Sequence, residues 1–155
     1  MSGANLRKGQ SPFYGSDTIA LVDLNYTLVE NSPKWGAPKI YPFIRQIEHE
    51  TYRQWLVDFL RDKYAILITA RPIRYKEQTL ARIFSQTNWQ PQESYFAGIS
   101  ATPHEIKEDL LLRYIFPKHG KNGADFFGIE SNPKTRAMYE KYAITSCNLD
   151  RFVYG

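Results

Sequence analysis

Ile19-Ala20-Leu21-Val22-Asp23-Leu24-Asn25-Tyr26-Thr27-Leu28 is an apolar run that stops abruptly at a carboxylate, an amide and a hydroxyl. Four apolar residues closed by polar ones read as a strand buried on both faces, the kind found inside a parallel sheet. Asp23 then emerges at the carboxyl end of that strand, the end at which open α/β sheets place their ligands. Taken alone, Val-Asp-Leu reads more readily as a buried strand whose Asp caps the next turn, so the remainder of the chain has to decide.

Working outward, Tyr64 to Thr69 is a second apolar strand ending in a hydroxyl, Ser94 to Ala97 a short third, and Ala124 to Ile129 another, ending against Glu130. Ala143 to Leu149 reads as the last. Between them lie helical patterns. Thr51 to Gln54 has capping-box spacing, with Trp55, Leu56, Phe59 and Leu60 as its apolar face. Ile73 to Gln86 carries Leu80, Ile83 and Phe84 on one stripe. Thr102-Pro103-His104-Glu105 announces a helix by its capping box and by Pro at the first helical position, and Ile106, Leu110, Leu111 and Tyr114 supply its buried side. Lys107 falls in that helix's first turn, where the helix dipole disfavours a cation, so another group must want it there. Asn132-Pro133 is a further helix start. Strands alternating with amphipathic helices predict one α/β domain, a mostly parallel sheet covered on both faces. Right-handed crossovers then gather Asp23, Thr69 and Glu130, with Lys107, at one edge.

The chain has 155 residues, 43% of them hydrophobic, enough for one core. We expect a flexible arm over residues 1–17, rich in Gly, Ser and basic side chains including Arg7 and Lys8, and a single domain over 18–155. The net charge is +4, with a pI near 9.1, which suits a polyanionic partner or substrate. The lone cysteine, Cys147, excludes an internal disulfide and a cysteine-built metal cluster and fits the reducing cytoplasm; it reads as a small core residue. No stretch approaches the ~20 apolar residues of a membrane span. His104 and His119, without partners at ligand spacing, read as surface residues. Val29 to Tyr41, with Pro33, Trp35, Gly36 and Pro38, reads as an irregular loop beside Asp23.

Asp23-Leu24-Asn25-Tyr26-Thr27-Leu28 resembles the first signature of the haloacid dehalogenase-like superfamily, Asp-x-Asp-x-Thr-(Leu/Val). The resemblance implies a Rossmannoid three-layer fold in which Asp23 is a nucleophile and ligand of Mg2+, and Asn25 lends the metal its backbone carbonyl. An amide at position 25 cannot shuttle a proton as the usual Asp does, a function worth ~10²- to 10⁴-fold in rate. Thr69 matches the second motif, whose hydroxyl donates to the transferring phosphoryl group. Thr69-Ala70-Arg71-Pro72-Ile73-Arg74-Tyr75-Lys76-Glu77-Gln78-Thr79 is similar to the Thr/Ser-Gly-Arg run of polynucleotide kinase-phosphatase phosphatase domains, which implies substrate contacts for Arg71, as the first motif does for Thr27. Arg71 also reads as a surface residue opening a helix. Lys107 matches the third motif and Glu130 the first acid of the fourth, another metal ligand; Ser131 departs from the second acid. That Ser-Asn pair also resembles the motif of the metal-free dehalogenases.

The loop after Asp23 is too short for a cap domain, and an open site suits a macromolecular substrate, a nucleic-acid end or a protein, though a partner subunit could also serve as a lid. The resemblance therefore implies a Mg2+-dependent phosphohydrolase working through an aspartyl phosphate on phosphate monoesters, nucleic-acid or nucleotide ends included. The alternative is a fold that has lost catalysis at Asn25 and Ser131 and serves as a protein- or nucleic-acid-binding module.

Overall fold

Alternation along the strands sorts the core into two halves. Ala20 and Val22, Ala65 and Leu67, and Phe127 and Ile129 point to one side, where they meet Leu56, Val57, Leu60 and Ile83; Leu21, Ile66, Ile68 and Phe126 point to the other, against Ile106, Leu110, Met138 and Tyr139. Fully burying one such aliphatic side chain contributes roughly 1.5–3 kcal/mol, so strands apolar on both faces are stable only with helices on both. The computed structural model describes residues 18–34 and 36–149. The arm expected over 1–17, Trp35, and the end of the expected domain at 150–155 lie outside the described residues.

Five parallel strands form one sheet: β1 (Ile19–Val22), β2 (Tyr64–Pro72), β3 (Glu93–Ala97), β4 (Phe126–Ile129) and β5 (Thr145–Cys147), in the order β3-β2-β1-β4-β5. Helices α2 (Gln54–Leu60) and α3 (Lys76–Thr87) cover one face, with α1 (Phe43–His49) against α3. The other face carries α4 (Pro103–Leu110), α5 (Phe116–His119) and α6 (Pro133–Lys141); a widened turn at Leu111–Ile115 joins α4 to α5. This is the α/β three-layer arrangement expected. The strand order reverses between β1 and β4, and at such a switch point the two outgoing connections leave on opposite faces and open a crevice at the strands' carboxyl ends. Register pairs Val22 with Ile129, so Asp23 and Glu130, the next residue of each strand, stand side by side at that crevice.

Local signals failed where tertiary contacts outbid them. The Thr102 capping box forms as read, but Thr51 caps nothing: α2 begins at Gln54, with Arg53 before it. The preceding residues are held extended by the loop after β1, through Glu30 N–H to Thr51 O (2.8 Å), Arg53 N–H to Leu28 O (2.9 Å) and a bridge between Val29 and Tyr52. The later start rotates the buried face onto Leu56, Val57 and Leu60, leaving Trp55 40% exposed, not core. Phe84 is likewise exposed, because α3 buries Thr79, Ile83 and Thr87. Tyr114 is half-exposed and stacks on Tyr95 at 5.6 Å. His119, read as a free surface residue, places Nε2 2.6 Å from Glu93 Oε2. Strand β2 runs on to Pro72, beyond the expected end at Thr69, and α3 starts only after a tight turn at Ile73–Tyr75. Pro72 disfavours a helical Arg71, which keeps that residue in the strand. Cys147 is buried as expected.

Candidate functional site

The Asp23 backbone N–H donates to Ile129 O (3.0 Å), extending the ladder between β1 and β4 by one step, and the Glu130 N–H donates to Cys147 O (2.9 Å). Both carboxylates are thereby fixed by sheet geometry rather than by loop packing. Lys107, expected in the first turn of its helix, lies in the last turn of α4 and reaches between them: its Nζ lies 2.7 Å from Asp23 Oδ1 and 2.6 Å from Glu130 Oε1. Asp23 Oδ2 accepts from Thr27 Oγ1 at 2.7 Å and from Ser131 Oγ at 3.0 Å, and Glu130 Oε2 accepts from the Asn132 N–H at 3.0 Å. Arg136 Nη1 donates to the carbonyls of Glu130 and Ser131, clamping the turn out of β4.

Two carboxylates, one ammonium and almost no water meet here, since Asp23, Lys107 and Glu130 are all buried. Burial pushes the Asp23 carboxyl up, but Lys107 and the hydrogen bonds from its neighbours outweigh burial and hold it below the usual aspartate value. Burial also works against the Lys107 ammonium, and the two acids overcome it, raising Lys107 above an ordinary lysine. Glu130 is the acid left over: burial, with the charge on Asp23 added and Lys107 opposing, pushes it up to about 7. The group is one cation short of holding both acids ionised.

Thr69 and Arg71 occupy the neighbouring end of β2. Thr69 is buried, and its Oγ1 accepts from the Arg71 N–H (3.1 Å), which leaves the hydroxyl proton to donate elsewhere. Arg71 is buried and not a surface residue: its fork holds both oxygens of Glu50 (3.0 and 2.5 Å), and it also donates to Thr79 Oγ1 (3.0 Å) and Asn25 Oδ1 (2.9 Å). Thr27 is fully buried and spent on Asp23. Of the expected residues, Asp23, Lys107 and Glu130 thus share one hydrogen-bonded cluster with Thr27, while Asn25 and Arg71 belong to a second cluster built on Glu50. Glu50 was missed, since a lone Glu between a helix and a loop carries no signal, and its partner lies 21 residues away. Ser131, read as a departure from the second acid and as part of a dehalogenase-like Ser-Asn pair, is a donor to Asp23.

Beyond Asp23 the chain turns sharply. Tyr26 takes a left-handed conformation (φ 61°), its N–H on Ser32 Oγ (2.8 Å) and its hydroxyl on Pro33 O (2.6 Å), which ties the following loop back over the strand end. Among the described residues, no group of three or more His, Cys, Asp or Glu is placed to hold a metal, and no helix is long and apolar enough to cross a membrane.

In fold, the chain belongs to the Rossmann-like three-layer α/β class. It is similar to a chain in a solved structure of the Pnkp1/Rnl/Hen1 complex, with a TM-score of 0.65 and 14% identity over 92% of this chain and 51% of that one, so it spans about half the length of that neighbour. A hypothetical protein from Xanthomonas campestris aligns with a TM-score of 0.42 and 14% identity, over 96% of this chain and 72% of that one. No family model matches the chain, and no curated protein matches it.

Proposed function

We propose that the chain is a phosphohydrolase of the haloacid dehalogenase-like kind, acting in the cytoplasm on phosphate monoesters at nucleic-acid or nucleotide ends. The observation that carries this reading is the Asp23–Lys107–Glu130 cluster at the switch point of the sheet. In this scheme an Asp23 oxygen attacks phosphorus, the bond to the leaving oxygen breaks, and an aspartyl phosphate forms that water then hydrolyses. Lys107 offsets the charge gathering on the transferring group, and the Thr69 hydroxyl donates to one of its oxygens. Asn25 cannot protonate the leaving alcohol, so water supplies that proton. Arg71 acts at one remove, holding Asn25 in place. The donor set fits Mg2+, which is content with one or two carboxylates, waters and substrate phosphate: Asp23, Glu130 and the Asn25 carbonyl would hold it, and it would supply the positive charge the two acids lack. The likeness of the Thr69–Thr79 run to polynucleotide kinase-phosphatases, and of the fold to a chain of the Pnkp1/Rnl/Hen1 complex, supports a nucleic-acid end as substrate.

A second reading is a binding module for protein or nucleic acid without catalysis. It is favoured by the saturation of Asp23, whose two oxygens already receive three donors, and by the commitment of Asn25 Oδ1 to Arg71. Phosphate release from p-nitrophenyl phosphate and phosphate-ended oligonucleotides, with Mg2+, separates the two. Turnover lost in Asp23→Asn and raised in Asn25→Asp supports the enzyme. Silence in both the parent and Asn25→Asp favours the module, and a gel shift or pull-down then tests for its partner.

A further inference from the structure

The loop between β1 and α1 encloses a cavity of about 610 Å³ that opens beside Asn25, two residues from Asp23. Its wall is specific in character: Tyr26, Tyr41 and Phe43 supply aromatic surface, Lys34 and Lys39 supply charge, and among the described residues no acidic side chain contributes. Phe43 is held firmly for such a surface. The Tyr75 ring packs on it at 4.7 Å, and the Arg71 guanidinium lies 5.0 Å from its centroid. Arg74 in turn lies over Tyr75 at 4.7 Å, so aromatic and cationic groups alternate outward from the cavity. Tyr41 is 73% exposed and Tyr26 52%, a large unpartnered aromatic area on a surface that solvent alone would not favour.

We infer that this cavity is a base subsite: it takes the heterocycle of a nucleotide whose phosphate lies at Asp23, with Lys34 and Lys39 reaching the phosphates of any chain that continues beyond it. The inference rests on the phosphohydrolase reading for the place of the reacting phosphate, but the cavity's chemistry stands apart from it. Aromatic faces accept any base, and lysines track a polyanionic backbone without reading sequence. The volume exceeds what a phosphate needs and lies within the range of small-ligand pockets. An apolar peptide would leave both lysines unanswered, whereas a nucleotide engages both kinds of group.

The test uses the full chain with Tyr41→Ala and Lys39→Glu; Tyr41 is exposed enough that its loss leaves the thermal midpoint unchanged. Three substrates are compared: ribose 5-phosphate, which has no base, a nucleoside monophosphate, and a phosphate-ended single-stranded oligonucleotide. Tyr41→Ala should raise KM for the two base-bearing substrates roughly ten- to a hundred-fold and leave ribose 5-phosphate unaffected. Lys39→Glu affecting the oligonucleotide alone assigns the cavity to a nucleic-acid end; the same loss on the monophosphate assigns it to a free nucleotide. Equal effects on all three substrates, or none, overturn the subsite. Should the parent turn over none of them, the phosphohydrolase reading falls by itself, and fluorescence anisotropy with a labelled oligonucleotide then decides the cavity: roughly tenfold weaker binding by Tyr41→Ala sustains it, and unchanged binding refutes it.

Discussion

Replacing Glu130 by Gln should make the protein more stable in alkaline solution and less stable in acid. In the fold Glu130 is raised from 4.5 to about 7, so between those values the native state holds a proton that the unfolded chain has already lost. Stability contributed at this position therefore falls as the pH rises across that window and is at its lowest above about pH 7. At about 1.4 kcal/mol for each tenfold change in acidity, the ionised Glu130 costs the fold about 3 kcal/mol. Gln removes that cost, but its amide nitrogen must face either Lys107 or the Asn132 N–H, each of which now donates to a carboxylate oxygen. Losing one such bond costs about 1 kcal/mol. The expected balance is about 2 kcal/mol of added stability near pH 8 and about 1 kcal/mol of loss near pH 4, with a change of sign between. Urea denaturation of the parent and Glu130→Gln at both pH values reads this directly, since about 2 kcal/mol moves the midpoint by roughly 1 M for a protein of this size. A variant less stable than the parent at alkaline pH, or a difference that does not change with pH, would refute the idea that two acids compete for one ammonium.

The remaining expectations address neighbouring contacts. Mg2+ should raise the melting temperature of the parent near pH 8, where Glu130 is ionised and its charge is not offset, and should leave Asp23→Asn unmoved; equal shifts in both would assign the ion to another place. Arg71→Ala strands the buried Glu50 carboxylate and should cost about 3–5 kcal/mol in urea, with Arg71→Lys recovering little because an ammonium cannot fork across both oxygens. A loss below about 1 kcal/mol would mean that the pair behaves as a surface contact. Gly128→Ala brings a Cβ to 2.9 Å from Ser146 Cβ and 3.0 Å from the Tyr139 ring, so thermal melting should show a loss of about 1–3 kcal/mol as α6 is pushed off the sheet. An unchanged melting temperature would place Tyr139 less tightly than described.

What the chain declares locally, and what only the assembled fold reveals, divides along physical lines. The apolar stretches of β1 and β4 are legible because burial on both faces leaves no polar position to confuse the reading, whereas Lys107 was singled out for a first-turn position it does not occupy: it lies in the last turn of α4, where a cation is favoured, and the two acids hold it there. Trp55 and Phe84 misled because a 3.6-residue period fixes a stripe only once the helix start is known, and the start of α2 is set by backbone bonds from Leu28 and Glu30, far earlier in the chain. Arg71 and Glu50 could not be paired from sequence: an ion pair across 21 residues has no period, spacing or cap to announce it.

The two charged clusters together explain the polarity of the crevice. Around Arg71 the charges balance: one guanidinium faces one carboxylate, its two terminal nitrogens also reach the Thr79 hydroxyl and the Asn25 amide oxygen, and only its buried Nε is left without a partner. Asn25 meets that guanidinium through a neutral amide oxygen and so adds no second carboxylate to the pair. Around Lys107 the account is open, with two acids against one ammonium and a proton on Glu130 making up the difference. With an amide at 25, the surplus negative charge lies on the Asp23–Glu130 side. Positive charge is therefore drawn to the Asp23–Glu130 side rather than toward Arg71, the only arginine buried among the described residues, which already has its carboxylate.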